Sequence, residues 1–213
     1  LNYQERQAVF ERAAVLLTEN QAEVIEWLVK ESGSLQLKAG FEVSIAIQVL
    51  KHCIASPATE QGTLLPTQNG KLSIAKRLPL GVVGVISPFN FPLYLALRAV
   101  APALAFGNAV VLKPDERTAV CSGYVIARIF ELAGLPKGLL HVLPGGAEVG
   151  EALTLDKNIA SIQFTGSTQV GRIVGANAAK TLKKVSLELG GKNSLIILDD
   201  ADIELAAENI AWG

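Results

Sequence analysis

Residues 160–171 read ASIQFTGSTQVG, an apolar run followed by a glycine turn and a polar segment. The apolar run at 160–164 indicates a buried strand, and the residues after the glycine turn have the pattern of a helix. Because the first N–H groups of a helix have no partner within it, such a turn favours a bound phosphate, to which Ser167 can add a hydroxyl donor. From Gly166 to Gly171 the turn matches the dinucleotide fingerprint GxGxxG only in part. A strand-to-helix turn that binds nothing therefore remains an alternative.

The same alternation of strand and helix extends in both directions along the chain after Pro79. Apolar runs predict strands at 82–87, 109–113, 139–143, 160–164, 184–188 and 195–198. Helical spacing predicts helices at 93–106, 118–133, 148–155, 168–180 and 202–212. Continuous apolar strands separated by helices indicate a parallel sheet that is covered on both faces. The predicted class is α/β with a Rossmann-like, doubly wound parallel sheet, and ligands are expected beyond the carboxyl ends of its strands.

The chain before Pro79 has a different texture. The pattern predicts helices over residues 1–55, the third at about 35–53, and then a protruding β-hairpin with strands at 62–67 and 71–77. The dipeptide Asn69-Gly70 is a strong signal for the hairpin turn. An isolated two-stranded ribbon is marginally stable in water, so we expect this hairpin to pair with another sheet edge, such as one from a partner subunit.

The composition excludes several classes of protein. Of the 213 residues, 50% are hydrophobic and 18% are charged, which is typical of a globular core and not of a disordered chain. The net charge of −1 provides no electrostatic reason to bind nucleic acid or an anionic membrane. Arg98 and Pro102 interrupt the apolar stretch 93–112, so no membrane span is expected. Cys53 and Cys121 lack the spacing of a metal site and suit a reducing compartment, so we expect no metal and a cytoplasmic location.

A rigid loop follows the predicted strand at 82–87. Residues 87–92 read SPFNFP, and the two prolines restrict the backbone on both sides of Asn90. Rigidity preorganises a hydrogen-bond donor, so the Asn90 amide is a candidate for stabilising a developing oxyanion. The alternative is a proline-rich turn in which Asn90 caps the next helix.

Charged residues and glycines follow the next two predicted strands. Lys113 and Glu116 lie where a lysine and a carboxylate can hold a ribose through its hydroxyl groups, and the carboxylate would repel a 2′-phosphate. An ordinary charged turn is the alternative. Gly145 and Gly146 then open the helix that follows the strand at 139–143.

Glu188 ends the predicted strand at 184–188, and two interpretations of it compete. It follows Gly171 at close to the spacing of about 20 residues at which the dinucleotide fingerprint places an acid on the ribose. Alternatively, it is a general base in a cleft, flanked by the apolar Leu187 and Leu189. Periodicity does not choose between the two.

Four motifs together resemble the aldehyde dehydrogenase superfamily. They are PFNFP at 88–92, LKPDE at 112–116, FTGST at 164–168 and LELGGK at 187–192, in the order and with the spacing of that family. The N-terminal helices and the hairpin are also similar to the family's, so the resemblance covers the whole chain. Within the family, the sequence is most similar to bacterial benzaldehyde- and vanillin-type enzymes.

The resemblance implies a role for each motif. Asn90 would contribute to the oxyanion hole, and Glu188 would be the general base that activates water. Lys113 and Glu116 would hold the adenosine ribose of NAD, with NADP disfavoured, and Gly146 and Val170 would line the adenine pocket. The remaining cofactor-binding residues implied are Ile86, Ser87, Pro88, Phe89, Gly166, Ser167, Thr168, Gly171, Leu189 and Gly190. The hairpin at 62–80 would be the oligomerisation arm of a homodimer or homotetramer.

The implied chemistry needs a residue that this chain does not supply. In the family, a cysteine thiolate attacks the aldehyde, and a thioester forms and is hydrolysed to the acid. That cysteine follows the base by about thirty residues, whereas only residues 189–213 follow Glu188 here. Because the sequence also begins at Leu1 and contains no Met, we expect residues 1–213 to be the NAD-binding part of a longer enzyme, without the catalytic domain and inactive alone.

Two alternatives to this interpretation stay open. A reductase or an acylating enzyme could share the same cofactor domain, although the presence of Glu188 favours hydrolysis. A non-catalytic binding or assembly module is the other alternative. We interpret Cys53 and Cys121 as small buried hydrophobic residues.

Overall fold

The computed structural model describes residues 1–212 as an α/β fold. The helices are α1 (Tyr3–Glu19), α2 (Gln21–Ser32), α3 (Gln36–Ala55), α4 (Pro92–Ala105), α5 (Val125–Leu132), α6 (Ala147–Leu155), α7 (Thr168–Ala179) and α8 (Ile203–Trp212). The strands are β1 (Gly62–Leu65), β2 (Ser73–Lys76), β3 (Val82–Ile86), β4 (Ala109–Lys113), β5 (Leu140–Val142), β6 (Ile159–Thr165) and β7 (Lys184–Glu188). Within the described residues, no helix is both long and apolar enough to cross a membrane.

The central sheet is parallel throughout, in the order β5-β4-β3-β6-β7. Strands β4 and β5 follow β3 on one side of it in the sheet, and β6 and β7 follow on its other side. This is the order of a doubly wound sheet, and it confirms the predicted fold class. The strand order reverses between β3 and β6, which is where such sheets open a crevice at their carboxyl edge.

Helices cover both faces of the sheet, and each face has its own core. The larger core lies under α1–α5, where Phe10 and Phe130 meet edge to face with ring centroids 5.5 Å apart. The smaller core lies under α6 and α7 and contains Leu153, Ile159, Ile162, Phe164 and Val174. The alternation of side chains along each strand therefore divides the sheet between two layers.

One predicted element was wrong, and one contains an irregular turn. Residues 195–198 are irregular and not a strand, and Ile196 is 83% exposed. An apolar run becomes a strand only where it finds a partner, and this run pairs with no strand in the described part of the chain. The predicted helix at 118–133 is present at 119–132, with a π-helical turn at Val120–Tyr124 that leads into α5. The Glu31 carboxylate accepts the N–H groups of Val120 and Cys121 at 2.8 and 2.7 Å. The other predicted elements differ from the observed bounds by only a few residues.

The predicted hairpin is present. Strands β1 and β2 pair antiparallel around the turn at Asn69-Gly70, where Gly70 has a φ of 80° that glycine adopts without strain. Its strands are shorter than predicted, and Leu64 and Ile74 are 70% and 55% exposed. Its role in oligomerisation stays a prediction.

Candidate active site

The carboxyl ends of β4, β3, β6 and β7 form one continuous edge. The register pairs Ile86 with Lys113 on one side and with Phe164 on the other. Beyond the paired residues, the N–H of Ser87 donates to the carbonyl of Lys113 at 3.1 Å, and that of Gly166 donates to the carbonyl of Glu188 at 3.0 Å. The segments after these strands therefore begin side by side, at and around the point where the strand order reverses.

The loop from Pro88 to Pro92 carries Asn90 at this edge. Asn90 is exposed, and it does not cap α4: the N-cap residue is Phe91, whose side chain accepts no hydrogen bond. The helix-cap alternative for Asn90 is therefore wrong. Phe89 is 45% exposed, and the Arg117 guanidinium lies 3.8 Å from the centroid of its ring.

Ile86 and Ser87 lie at the start of this loop, at the end of the central strand. Ile86 is half-buried and packs against the smaller core. Ser87 is only 5% exposed, and its hydroxyl has no hydrogen-bond partner among the described residues.

Glu42 supplies the cap that Phe91 cannot. Its carboxylate is completely buried, and Oε1 accepts the N–H groups of Leu93 and Tyr94 at 2.8 and 3.2 Å. Burial raises the pKa of Glu42, while these two N–H groups and the nearby Lys38 ammonium oppose that rise. The sequence analysis did not predict a role for Glu42. The feature that could have indicated one is that Glu42 is the one acidic residue in the predicted helix at 35–53.

The end of β4 and the segment after it carry four charged side chains, at Lys113, Asp115, Glu116 and Arg117. Lys113 is half-buried at the end of the strand and Glu116 is exposed. Asp115 accepts the backbone N–H of Arg117 at 3.0 Å and pairs with its guanidinium at 2.9 Å, and these contacts hold the pKa of the Asp115 carboxyl below its usual range. The side chain of Asp115 is therefore committed to Arg117, which leaves Lys113 and Glu116 as the groups able to bind a ligand.

Glu148 contacts Gly146, which was predicted to line the adenine pocket. Its Oε1 accepts the N–H of Gly146 at 3.0 Å. Backbone N–H groups at its own position and at Gly146, together with the positive charge of Lys113, lower the pKa of Glu148. Lys113 and Gly146 thus belong to one neighbourhood after β4 and β5, a link that local sequence spacing could not show.

The glycine turn between β6 and α7 has an open N-terminus. Ser167 is the N-cap of α7, and its Oγ accepts the N–H of Val170 at 3.3 Å, which leaves its own proton free to be donated. No acidic side chain lies in the first turn of α7, so the positive end of the helix is not neutralised there. Val170 is 44% exposed. This turn can accommodate the negative charge of a phosphate.

Gly171 and Gly190 join α7 to the segment after β7. A Cβ built on Gly171 would lie 2.3 Å from Leu189 Cδ2, so with any other residue at 171 the Leu189 side chain would have to shift. A Cβ on Gly190 would lie 3.8 Å from Thr168 Oγ1, an ordinary contact. The structure thus brings the predicted Gly166–Gly171 turn and the Leu189–Gly190 segment together.

Glu188 faces the opposite side of β7 from its apolar neighbours. Leu187 lies against Gly175 of α7 and Leu189 against Gly171, whereas Glu188 points toward α4, where Arg98 Nη2 lies 3.7 Å from Glu188 Oε2. The Glu188 side chain is 63% exposed. The expectation that apolar neighbours enclose this carboxylate is wrong, because alternate residues of a strand point to opposite faces.

A polar cavity of ≈ 150 Å³ lies between α4 and the sheet beside Glu188. Its polar lining comes from Arg98, Gln163, Thr165, Ser186 and Glu188. Arg98 was read from the sequence only as a break in an apolar run, and its contact with Glu188 spans 90 residues of chain. The cavity gives Glu188 a polar surrounding that can admit water.

The chain's two cysteines do not belong to this edge. Cys53 and Cys121 are buried, which confirms their interpretation as small hydrophobic residues. Burial raises the pKa of Cys53 to about 11 and also raises the pKa of Cys121, to which the Glu31 carboxylate contributes. Neither thiol is therefore suited to act as a nucleophile near neutral pH.

The strand order defines a doubly wound α/β fold, a class of fold in which ligands bind where the strand order reverses. The chain belongs to the aldehyde dehydrogenase family, whose model matches residues 1–213. It is 55% identical over 212 residues to a vanillin dehydrogenase of Amycolatopsis and 50% identical over 212 residues to a benzaldehyde dehydrogenase [NAD(+)] of Pseudomonas putida, and these matches cover 100% and 99% of this chain.

The fold of this chain is also similar to that of a solved structure. The crystal structure of an NAD-dependent benzaldehyde dehydrogenase from Corynebacterium glutamicum superimposes with a TM-score of 0.95 at 46% identity, over 100% of this chain and 47% of that one. The chain spans about 44% of the length of the two curated relatives.

Proposed function

We propose that this chain is the cofactor-binding part of an NAD-dependent aldehyde dehydrogenase that oxidises an aromatic aldehyde to a carboxylic acid. The observation that carries the proposal is the common edge from which the segments bearing Asn90, Ser167 and Glu188 emerge. The vanillin and benzaldehyde named for its relatives support an aromatic substrate.

NAD fits the groups at this edge. The unneutralised N-terminus of α7, with the Ser167 hydroxyl, suits a pyrophosphate. Lys113 and Glu116 can bind ribose hydroxyl groups, and the negative charge of Glu116 disfavours the 2′-phosphate of NADP. When bound, NAD supplies the hydride acceptor for aldehyde oxidation. The other contacts would come from Ile86, Ser87, Pro88, Phe89, Gly146, Gly166, Thr168, Val170, Gly171, Leu189 and Gly190.

Asn90 and Glu188 would act on the reacting carbonyl in successive steps. The Asn90 amide donates a hydrogen bond to the oxygen that becomes negatively charged when a thiolate adds to the aldehyde. Glu188 takes a proton from water, so that the resulting hydroxide attacks the thioester and the thiolate leaves. Because Cys53 and Cys121 are buried, the thiolate would come from a residue outside this chain.

We further propose that residues 1–213 form one NAD-binding domain with an oligomerisation arm at 62–80. The hairpin exposes apolar side chains on a ribbon that pairs only with itself among the described residues, and such a ribbon gains stability by joining another sheet. The domain alone would bind NAD without oxidising an aldehyde.

Steady-state and rapid-quench assays of the full-length protein test the proposal. The wild type is expected to form NADH from benzaldehyde or vanillin, and Glu188→Gln is expected to give one burst of NADH and a trapped acyl-enzyme visible by mass spectrometry. Glu19→Gln, at an exposed position on α1, is the matched control and should turn over normally. Release of the acyl group by added coenzyme A alone would instead identify an acylating relative, and full turnover by Glu188→Gln with weakened NAD binding would return Glu188 to the ribose.

A further inference from the structure

The start of α4 depends on a residue from a distant helix. An α-helix leaves its first N–H groups without partners. Here Pro92 has no N–H, and the N-cap residue Phe91 has no side-chain acceptor, so the N–H groups of Leu93 and Tyr94 must find a partner elsewhere. Glu42 Oε1 accepts both, from 51 and 52 residues earlier in the chain. A carboxylate at this place also interacts favourably with the positive end of the helix.

Lys38 completes the arrangement one turn before Glu42 on α3. Its Nζ lies 3.4 Å from Glu42 Oε2 and 2.9 Å from Ser34 Oγ. The same ammonium group lies 4.0 Å from the centroid of the Phe91 ring, within the range of a cation–π interaction. Lys38 therefore contacts both the buried carboxylate and the residue that directly follows Asn90.

These contacts fix the loop of Asn90 at both ends. On one side, the N–H of Ser87 is bonded to the neighbouring strand at Lys113. On the other side, Phe91 is held by Lys38, and the first N–H groups of α4 are held by Glu42. Only residues 88–90 lie between the two fixed points, and one of them is a proline.

We propose that Glu42, assisted by Lys38, is a positioning residue for Asn90: it holds the start of α4 so that the Asn90 amide points to one place before the substrate arrives. The inference rests on the proposed function of Asn90 as an oxyanion donor. A donor of this kind works only when its position is set in advance, and a displacement of about 1 Å in a catalytic group can cost about 100-fold in rate.

The test compares variants of the full-length enzyme. Glu42→Leu removes the acceptor and is expected to lower kcat by about 10- to 100-fold, up to the loss from Asn90→Ala, with the Kd for NAD changed less than about twofold. Glu42→Gln keeps one oxygen that can accept both N–H groups and should retain activity within about threefold. Glu26→Leu is the matched control, because Glu26 also forms an i,i+4 ion pair with a lysine, Lys30, but on an exposed surface.

A double-mutant cycle separates positioning from general destabilisation. If Glu42 acts through Asn90, Glu42→Leu lowers kcat little further when Asn90 is already alanine. Losses that multiply in the double variant would overturn the inference while leaving the proposed function intact. Where Glu42→Leu does not fold, Lys38→Met in the same cycle gives the same test, because the Lys38 side chain is 31% exposed and contacts Phe91.

Amide hydrogen exchange provides a readout that does not depend on turnover. The amides of Leu93 and Tyr94 are expected to exchange at least tenfold faster in Glu42→Leu, whereas those in the middle of α3 stay protected. Unchanged exchange at these two amides would overturn the inference even in an active enzyme. A wild-type protein that oxidises no aldehyde would overturn the proposed function, and the role of Asn90 with it.

Discussion

Replacing Gly171 by alanine tests how tightly α7 packs against the segment after Glu188. A Cβ on Gly171 would lie 2.3 Å from Leu189 Cδ2 and 3.3 Å from Cδ1. Gly175, one turn further along α7, is the matched control, because its Cβ would meet Leu187 Cδ1 at an ordinary 3.5 Å. Both positions are helical, so both substitutions gain helix propensity, and only one of them creates an overlap.

At Gly171, the gain in helix propensity and the cost of the steric overlap have comparable magnitudes and opposite signs. Alanine in place of glycine inside a helix stabilises by about 0.5–1 kcal/mol, which Gly175→Ala should realise in full. At Gly171 the Leu189 side chain must retreat by about 1 Å to restore an ordinary contact. Overpacking of a core costs about 1–3 kcal/mol, and the lower end applies here because Leu189 is 39% exposed. We therefore expect Gly171→Ala to be less stable than Gly175→Ala by about 1 kcal/mol.

Chemical denaturation of the two variants measures this difference, and titration with NAD measures its effect on the site. Because Gly171 and Leu189 are both proposed cofactor contacts, Gly171→Ala should raise the Kd for NAD several-fold, whereas Gly175→Ala should leave it unchanged. Equal stability and equal Kd in the two variants would show that Leu189 moves aside freely. That result would refute the reasoning that close packing requires glycine at 171.

Three further predictions concern stability. Phe10→Ala removes a buried ring packed on Phe130 and should lower the free energy of unfolding by about 3–5 kcal/mol in urea denaturation. Burial raises the pKa of Glu42 above its usual 4.5, so the folded state binds the extra proton and the free energy of unfolding should fall as pH rises above about 4.5. Glu42→Gln should remove this slope when denaturation is repeated at several pH values. Asn108→Ala leaves the N–H groups of Leu80 and Gly81 without their acceptor and should cost about 1–3 kcal/mol by the same assay, unlike the exposed Asn209→Ala.

The central sheet was predictable because its signal is local. An apolar run such as 109–113 between turn residues specifies a strand and its end, and in a parallel sheet all the ends meet at one edge. That geometry was enough to predict that the segments bearing Asn90, Ser167 and Glu188 begin at one edge of the sheet. The apolar run at 195–198 carries the same signal, yet it has no strand beside it within the described residues. Local pattern indicates what could pair, and not whether a partner is available.

The contacts that tune the site could not be predicted, because they join distant parts of the chain. Glu42 lies in an apolar helix and Arg98 breaks an apolar run, so each residue is visible in the sequence as an exception to its surroundings. Their partners lie 51 and 90 residues away, at Leu93 and Glu188. A buried carboxylate requires a partner, so the exception at Glu42 could be recognised even though its identity as a helix cap could not.

Asn90 and Glu188 have different surroundings, and the difference suits the two tasks proposed for them. The Asn90 loop is anchored through the central strand and through Glu42 of α3, both deeply buried. Glu188 lies on β7, at the edge of the described sheet, with a side chain 63% exposed beside a polar cavity and an Arg98 contact at 3.7 Å. An oxyanion donor must be in place before charge develops, whereas a base that deprotonates water must admit that water and move relative to it. An amide on a loop that is fixed at both ends and a carboxylate beside a polar cavity would suit these two proposed tasks.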